Sequence, residues 1–342
     1  MNNIKLLDCT LRDGGLGLDD IQQYGYSCSF TANQISTIYN NLLESNADLI
    51  ECGSIEISDN DKTKFAIYKN IENISKGAIP LSKRRVALYR GPDTPIEDIP
   101  RWTKSLIKNI RVIIRYSELE KSMLFCRDLA AKGYNVFIQP MVTARYTDKE
   151  IKYMISMANE MKAFAIYFVD SYGYLTYNEI KKYFNLYNKY LKNTIYIGFH
   201  AHNNINMAFA NAQFFIGLAR KENRKAIIDS SCFGMGQGAG NLQTELISNY
   251  LNKEVGTKYK IDKILTVCDL LEPLYKLQIW GYSPMYLIPA QNRAAYKFSV
   301  ALRKRYNYSY PDISECLKDI PDVLRHRYSK ENLNALFKLR SE

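Results

Sequence analysis

Histidine is nearly missing from this chain, with three in 342 residues. Two of the three fall in one run, Ile-Tyr-Ile-Gly-Phe-His-Ala-His-Asn-Asn (195–204). Paired cysteine is missing as well. The seven cysteines are odd in number and scattered, and none forms a Cys-x-x-Cys pair, which argues against a disulfide framework and a cysteine-rich zinc site and fits a reducing cytoplasm. Nowhere do about eighteen apolar residues run together, and the N-terminus lacks a long apolar core, so a soluble, untargeted, cytoplasmic protein without membrane association is expected. Acidic residues are in short supply, 35 against 46 Lys and Arg, for a net charge of +11. The excess is spread thinly, with Arg303-Lys304-Arg305 and Arg325-His326-Arg327 as the tight clusters within residues 251–342, and no nucleic-acid motif accompanies it. Nucleic acid is therefore not an expected partner, whereas anionic small molecules such as carboxylates or phosphates would be drawn to such a surface.

What is present is enough apolar residue, 46%, to bury a large core. Short β-rich runs alternate with helical patterns. Strands are expected at Ile4 to Cys9, Asp48 to Cys52, Arg85 to Tyr89, Ile110 to Tyr116, Asn135 to Pro140, Phe164 to Asp170, Thr194 to His200 and Ala226 to Ser230. Thr31-Ala-Asn-Gln34 has capping-box form ahead of Ile35, Ile38 and Leu42. Ile205, Phe209, Ala212 and Ile216 repeat at helical spacing. Strands that are apolar throughout and separated by single helices imply a parallel sheet buried on both faces. A (β/α)8 TIM barrel over residues 1–251 with a helical C-terminal extension over 252–342 is preferred to a doubly wound open sheet, because polar and glycine-rich residues gather after the strands.

His200 and His202 sit two apart at a strand end, so their side chains point the same way and can close on one cation. They could also be ordinary polar residues at the end of a strand. The first strand runs into Arg12-Asp13-Gly14-Gly15, which places a carboxylate and a guanidinium at the barrel mouth. Asp13 could complete a three-ligand metal site, and Arg12 could neutralise an oxyanion or enolate. The pair could also be a salt bridge capping a turn. After the eighth strand comes Gly234-Met235-Gly236-Gln237-Gly238-Ala239-Gly240-Asn241, where Gly238 and Gly240 are candidates to bring the backbone against an anionic substrate. This run lacks the Gly-x-Gly-x-x-Gly spacing of a dinucleotide loop.

Together, Leu11-Arg12-Asp13-Gly14, Glu51-x-Gly53, Asp170-Ser171-x-Gly173, His200-x-His202-Asn203 and the glycine run ending in Asn241 resemble the metal-dependent lyase and aldolase superfamily of TIM barrels. That superfamily includes hydroxymethylglutaryl-CoA lyase, 4-hydroxy-2-oxovalerate aldolase, and the isopropylmalate and homocitrate synthases. The resemblance implies metal binding by Asp13, His200 and His202, with Asn241 a further ligand in some members, and enolate stabilisation by Arg12. The cation would be Mn2+, Mg2+ or Co2+. Ser171 matches a position that helps to hold a pyruvate carboxylate in the aldolase branch. Leu270-Leu271-Glu272-Pro273 and Gly281-Tyr282-Ser283-Pro284-Met285-Tyr286 resemble the C-terminal region of that branch, making Tyr286 a candidate to contact the substrate hydroxyl. Tyr286 could also be simply a packed aromatic.

The implied activity is cleavage or formation of a carbon–carbon bond in a 4-hydroxy-2-oxo acid, with a 2-oxo acid and an aldehyde as partners. An acyl-CoA lyase or Claisen-type synthase, and a non-catalytic metal-binding barrel acting as a partner subunit, stay open as alternatives. A homo-oligomer and an aldehyde dehydrogenase partner are the assemblies the resemblance suggests. One position departs from the aldolase pattern: Leu16 stands where the pyruvate-forming members carry a general-base histidine. Asp19, Asp20, Tyr24 or a water on the cation could serve in its place. Cys232, just before the glycine run, has a precedent in the lyase branch, and buried structural cysteine explains it as well.

Overall fold

The computed structural model describes residues 3–76 and 82–341. Its strands are β1 Ile4–Asp8, β2 Leu49–Ile55, β3 Ile67–Tyr68, β4 Arg85–Tyr89, β5 Asn109–Ile114, β6 Asn135–Pro140, β7 Ala165–Asp170, β8 Tyr196–Ala201 and β9 Ala226–Ser230. They pair in parallel in the order β1-β9-β8-β7-β6-β5-β4-β2, and β1 pairs with β2 to close the ring, as Leu7 opposite Leu49 and Asp8 opposite Ile50. The short β3 pairs only with β2, outside this closed eight-stranded barrel. Closure excludes the doubly wound alternative. Each strand reads as an apolar run because helices cover its outer face and the barrel interior is filled as well. Leu7, Leu49, Val86, Phe137, Ala165, Tyr167 and Ile227 form the interior cluster, separate from the large cluster between strands and helices.

Local signals set the helix boundaries. Thr31 caps the helix Ala32–Glu44 in a complete capping box, and Ile35, Ile38 and Leu42 are buried as the spacing predicts. The helix expected from Ile205 starts later, at Ala208–Lys221, and buries Ala208, Asn211, Ala212, Phe215, Ile216 and Ala219. Ile205 and Phe209 fall off that face. Asn206 in the left-handed region (φ 59°) turns the chain first, and the Asn203 side chain then accepts the Ala208 amide at 3.1 Å.

Beyond the last barrel strand, the helix Ile261–Tyr275 buries Ile264, Val267, Cys268 and Leu271 in the barrel's own large cluster. The helices that follow have a second core, built on Ile288, Phe298, Leu302, Ile313, Leu317, Leu333 and Leu336. Polar links dock this unit onto the C-terminal face of the barrel. Arg293 pairs with Glu179, Tyr172 bonds His326, and Tyr296 and Lys297 both reach Asp20. No described helix is long and apolar enough to cross a membrane.

Two helical glycines make opposite predictions. Gly15 lies in the helix Thr10–Ile21, where an added Cβ would sit 1.9 Å from the Phe65 carbonyl oxygen, a contact that only backbone movement can relieve. Gly217 lies in the helix Ala208–Lys221 with nothing within 4 Å of that position. Gly217→Ala should therefore stabilise the protein by about 0.5–1 kcal/mol, and Gly15→Ala should destabilise it by more than that. Urea denaturation of both variants checks the signs.

Candidate metal centre

Strand β1 passes into the helix Thr10–Ile21 with only Cys9 between them. Asp8 makes the junction: one carboxylate oxygen accepts the Thr10 amide at 2.9 Å and the other the Thr244 hydroxyl at 2.6 Å. Arg12 and Asp13 thus stand in a first helical turn rather than in a loop, where the positive end of the helix favours a carboxylate. On the far side, His200 is the penultimate residue of β8 and His202 directly follows the strand, with ring centroids 5.0 Å apart on the same face. The glycine run is stitched to this strand end. His202 and Asn241 form a β-bridge, the Asn203 amide donates to the Gly240 carbonyl at 2.8 Å, and the Leu242 amide donates to the Ala201 carbonyl at 3.2 Å.

The outcome is a cluster of Asp13, His200 and His202 whose ligand atoms all lie within 4.8 Å of one another. Each imidazole has its Nδ1 committed. His200 Nδ1 lies 3.0 Å from an Asp229 carboxylate oxygen and His202 Nδ1 lies 3.0 Å from the Asp170 carbonyl, so Nε2 is the atom each ring has free. The Asn241 amide nitrogen donates to Asp13 at 2.5 Å, while its Oδ1 is buried without a partner among the described residues. An added Cβ at Gly236 would lie 2.8 Å from the Asp13 carboxylate, which explains a glycine here.

Beneath the cluster runs a chain of buried ions. Arg12 donates to Asp13 at 2.6 Å and to Glu51 at 2.7 Å, and the other Glu51 oxygen is 3.2 Å from Arg111 Nε. Arg111 donates to both oxygens of Asp229, at 2.5 and 3.1 Å, to Gln139 at 2.6 Å and to the Tyr167 hydroxyl at 3.1 Å. Three carboxylates and two guanidiniums are buried together, so carboxylates outnumber guanidiniums by one. Burial alone would raise the Asp13 carboxyl, but Arg12, the histidine pair and the Asn241 amide outweigh it and hold it below the usual carboxylate range. Burial is likewise overcome at Asp229, which Arg111 and His200 draw down to about 2. Burial next to His200 pushes His202 down to about 4, keeping it neutral. An excess of carboxylate over guanidinium, two imidazoles presenting Nε2 and an unpartnered amide oxygen fit a divalent cation.

The cluster opens into a cavity of about 450 Å3 that Arg12, Leu16, Glu56, Arg90, Ser171 and Gln237 help to line. Other sequence candidates lie elsewhere. Gly238 and Gly240, both at positive φ (64° and 86°), fold the loop and do not line the cavity; Gln237 does. Tyr286 packs against Tyr296, 6.0 Å between ring centroids, and its hydroxyl donates to the Ile279 carbonyl at 3.4 Å, facing a separate cavity with Trp280 and Arg303. Ser283 and Pro284 start its helix there and fix that direction. Asp19 is paired with Lys62, Asp20 is held by Gln237, Tyr296 and Lys297, and the Tyr24 hydroxyl is pushed by burial to about 12. None of these three lines the cavity. Cys232 is buried with its thiol toward Asp8, and burial raises it, so it stays protonated.

Arg111, Asp229, Gln139 and Tyr167 are the members that sequence reasoning passed over. Their signal was a lone charge inside an apolar strand, as in Asn-Ile-Arg-Val-Ile-Ile (109–114) and Ala-Ile-Ile-Asp-Ser (226–230). Asp229→Asn would leave Arg111 short of a counter-charge in a dry interior and should cost about 3–5 kcal/mol. Tyr167→Phe removes only the hydroxyl's hydrogen bonds to Arg111 and Asp229, strands no charge, and should cost less, about 1–2 kcal/mol. Urea unfolding of the two variants gives the comparison.

Relatives point the same way. The chain is 27% identical over 301 residues to a 4-hydroxy-2-oxovalerate aldolase of Moorella thermoacetica, covering 83% of this chain and 82% of that one. A protein of the same name from Carboxydothermus hydrogenoformans is 27% identical over 326 residues, covering 88% and 89%. Among solved structures, the N-terminal domain of a putative aldolase from Bacteroides vulgatus superimposes with a TM-score of 0.71 at 22% identity, over 91% of this chain and 99% of that one. The HMG-CoA lyase of Brucella melitensis superimposes with a TM-score of 0.61 at 14% identity, over 81% and 100%. The HMGL-like family model matches residues 3–271, the whole barrel and the first helix beyond it, and the chain belongs to the HMGL-like family.

Proposed function

We propose that the chain is a divalent-metal-dependent aldolase that breaks and forms the carbon–carbon bond of a 4-hydroxy-2-oxo acid through a pyruvate-type enolate. The observation that carries this reading is the buried Asp13, His200 and His202 cluster beside an arginine with one free donor. Asp13, His200 and His202 would hold the cation, with Asn241 Oδ1 as a further oxygen at hand. Two imidazoles with one carboxylate suit Mn2+ or Co2+ better than Mg2+, which prefers an all-oxygen set. The bound cation would supply Lewis-acid polarisation of the 2-oxo group.

The chain's own residues supply the rest. Glu51 and Asp13 fix the Arg12 guanidinium through Nε and Nη1, leaving Nη2 buried and without a partner among the described residues. A preorganised donor of that kind stabilises an enolate oxygen as its charge develops, because no reorientation is needed at that moment. Ser171 Oγ accepts the Val142 amide at 2.8 Å, so its hydroxyl proton is left to donate to the substrate carboxylate. Leu16, Ile113, Met141 and Val169 give the cavity apolar walls that limit water at the reacting end. Names carried by the relatives support the 4-hydroxy-2-oxo acid as substrate. Seven free thiols support a reducing, cytoplasmic setting.

Metal-loaded protein incubated with pyruvate in deuterated water should exchange the methyl protons, and Asp13→Ala should abolish the exchange. Mass spectrometry of the recovered pyruvate reads it directly. No exchange by protein with metal demonstrably bound would sink the assignment.

A further inference from the structure

The cavity that holds the cluster continues outward past the reacting end. Its outer wall consists of Glu56 after β2, Arg90 and Asp93 after β4, and Arg115 after β5. At about 450 Å3 it has room for roughly fifteen waters at ~30 Å3 each, well beyond what pyruvate with a small alkyl aldehyde needs. An alkyl aldehyde would also gain little from a wall of ions, since desolvating charged groups against a hydrocarbon is unfavourable.

The two arginines have different tasks. Arg115 is fully engaged: Nε and Nη2 donate to the Arg90 carbonyl at 3.1 and 2.8 Å, and Nη1 donates to Asp93 at 2.7 Å and Glu118 at 3.0 Å. Residue 91 is a glycine at φ 145°, where a Cβ would come within 2.5 Å of the Arg115 guanidinium carbon. Arg115 thus clamps the backbone that carries Arg90. The Arg90 side chain has a single ion pair, through Nη1 to Glu56, and its Nε and Nη2 have no protein partner among the described residues. Glu56 divides its charge further, since Lys62 Nζ lies 3.3 Å from its other oxygen. Arg90 is left with a free donor edge on a rigid support, part-exposed on the cavity wall.

Arg115 is met by Asp93 and Glu118, whereas Arg90 shares its one carboxylate, Glu56, with Lys62 and keeps Nε and Nη2 for an anionic ligand. We infer that Arg90 is a specificity-determining residue that binds an anionic group, carboxylate or phosphate, on the far end of the acceptor aldehyde. This rests on the aldolase reading of the site. The natural aldehyde then carries its own charge, and an uncharged alkyl aldehyde is a poor substrate.

The test compares succinic semialdehyde, glyceraldehyde 3-phosphate and propanal as acceptors for pyruvate. At least one anionic aldehyde should exceed propanal tenfold or more in kcat/KM, and the better of the two shows whether the group is a carboxylate or a phosphate. In Arg90→Leu that preference should collapse at least tenfold, mainly through KM, and Arg90→Lys should restore part of it. Calorimetric titration of the same aldehydes into EDTA-treated protein gives a readout without turnover, in which Arg90→Leu should weaken the anionic ligand. Equal kcat/KM for all three aldehydes, or a preference and a binding signal that survive Arg90→Leu, overturns the proposal. If wild-type protein fails to exchange pyruvate protons, the aldolase reading falls while the calorimetric arm still decides the Arg90 subsite.

Discussion

Arg111 sits at the centre of the barrel, fully buried, and the geometry of the site follows from how it is neutralised. It binds both oxygens of Asp229 and lies against Glu51. Asp229 then holds His200 through Nδ1, and Glu51 holds Arg12 through Nε. One guanidinium on β5 therefore orients both His200 on β8 and Arg12 on the helix after β1, across the barrel from it. Removing a single partner would strand a charge in a dry interior, so the network fixes position more than it adds net stability. It also holds one more carboxylate than guanidinium, which is what makes the Asp13 cluster a place for a cation.

Much of this was legible in the sequence. The strand runs, the closed barrel, the pair His200 and His202 on one face, and the glycine loop beside them follow from periodicity and from residue types that have few other uses. The nearness of Asn241 to Asp13 is explained by the bridge it forms with His202, which the glycine run permits. What could not be read is the inner layer. A lone arginine in β5 and a lone aspartate in β9 are 118 positions apart and acquire meaning only when the barrel brings them into contact. Placement of the C-terminal helices was equally hidden. Tyr286 matches a local pattern, but the packing of its ring on Tyr296 and the start of its helix at Pro284 turn it toward another cavity. Family resemblance gives a residue's address in the chain, and the direction of its side chain depends on neighbours far away in sequence.

Leu16 and Arg90 belong to one picture. Leu16 gives the reacting end an apolar wall where a proton acceptor was expected, and the outer end of the same cavity is lined with ions. The Asp13, His200 and His202 cluster and Arg12 are held by the buried network, while the loops after the strands shape the walls around them, which is how one scaffold can serve different substrates. Arg115 and Gly91 show that the outer wall is built with as much constraint as the inner layer.

The central claim is that the buried ion network, with more carboxylates than guanidiniums, is completed by a divalent cation. Titrating Mn2+ into EDTA-treated protein by calorimetry, with thermal unfolding followed in parallel, tests it most directly. The account predicts one site per chain, a melting temperature that rises with metal concentration, and loss of both effects in His202→Ala. Protein that binds no metal, or whose melting temperature is the same with Mn2+ and with EDTA, would contradict it.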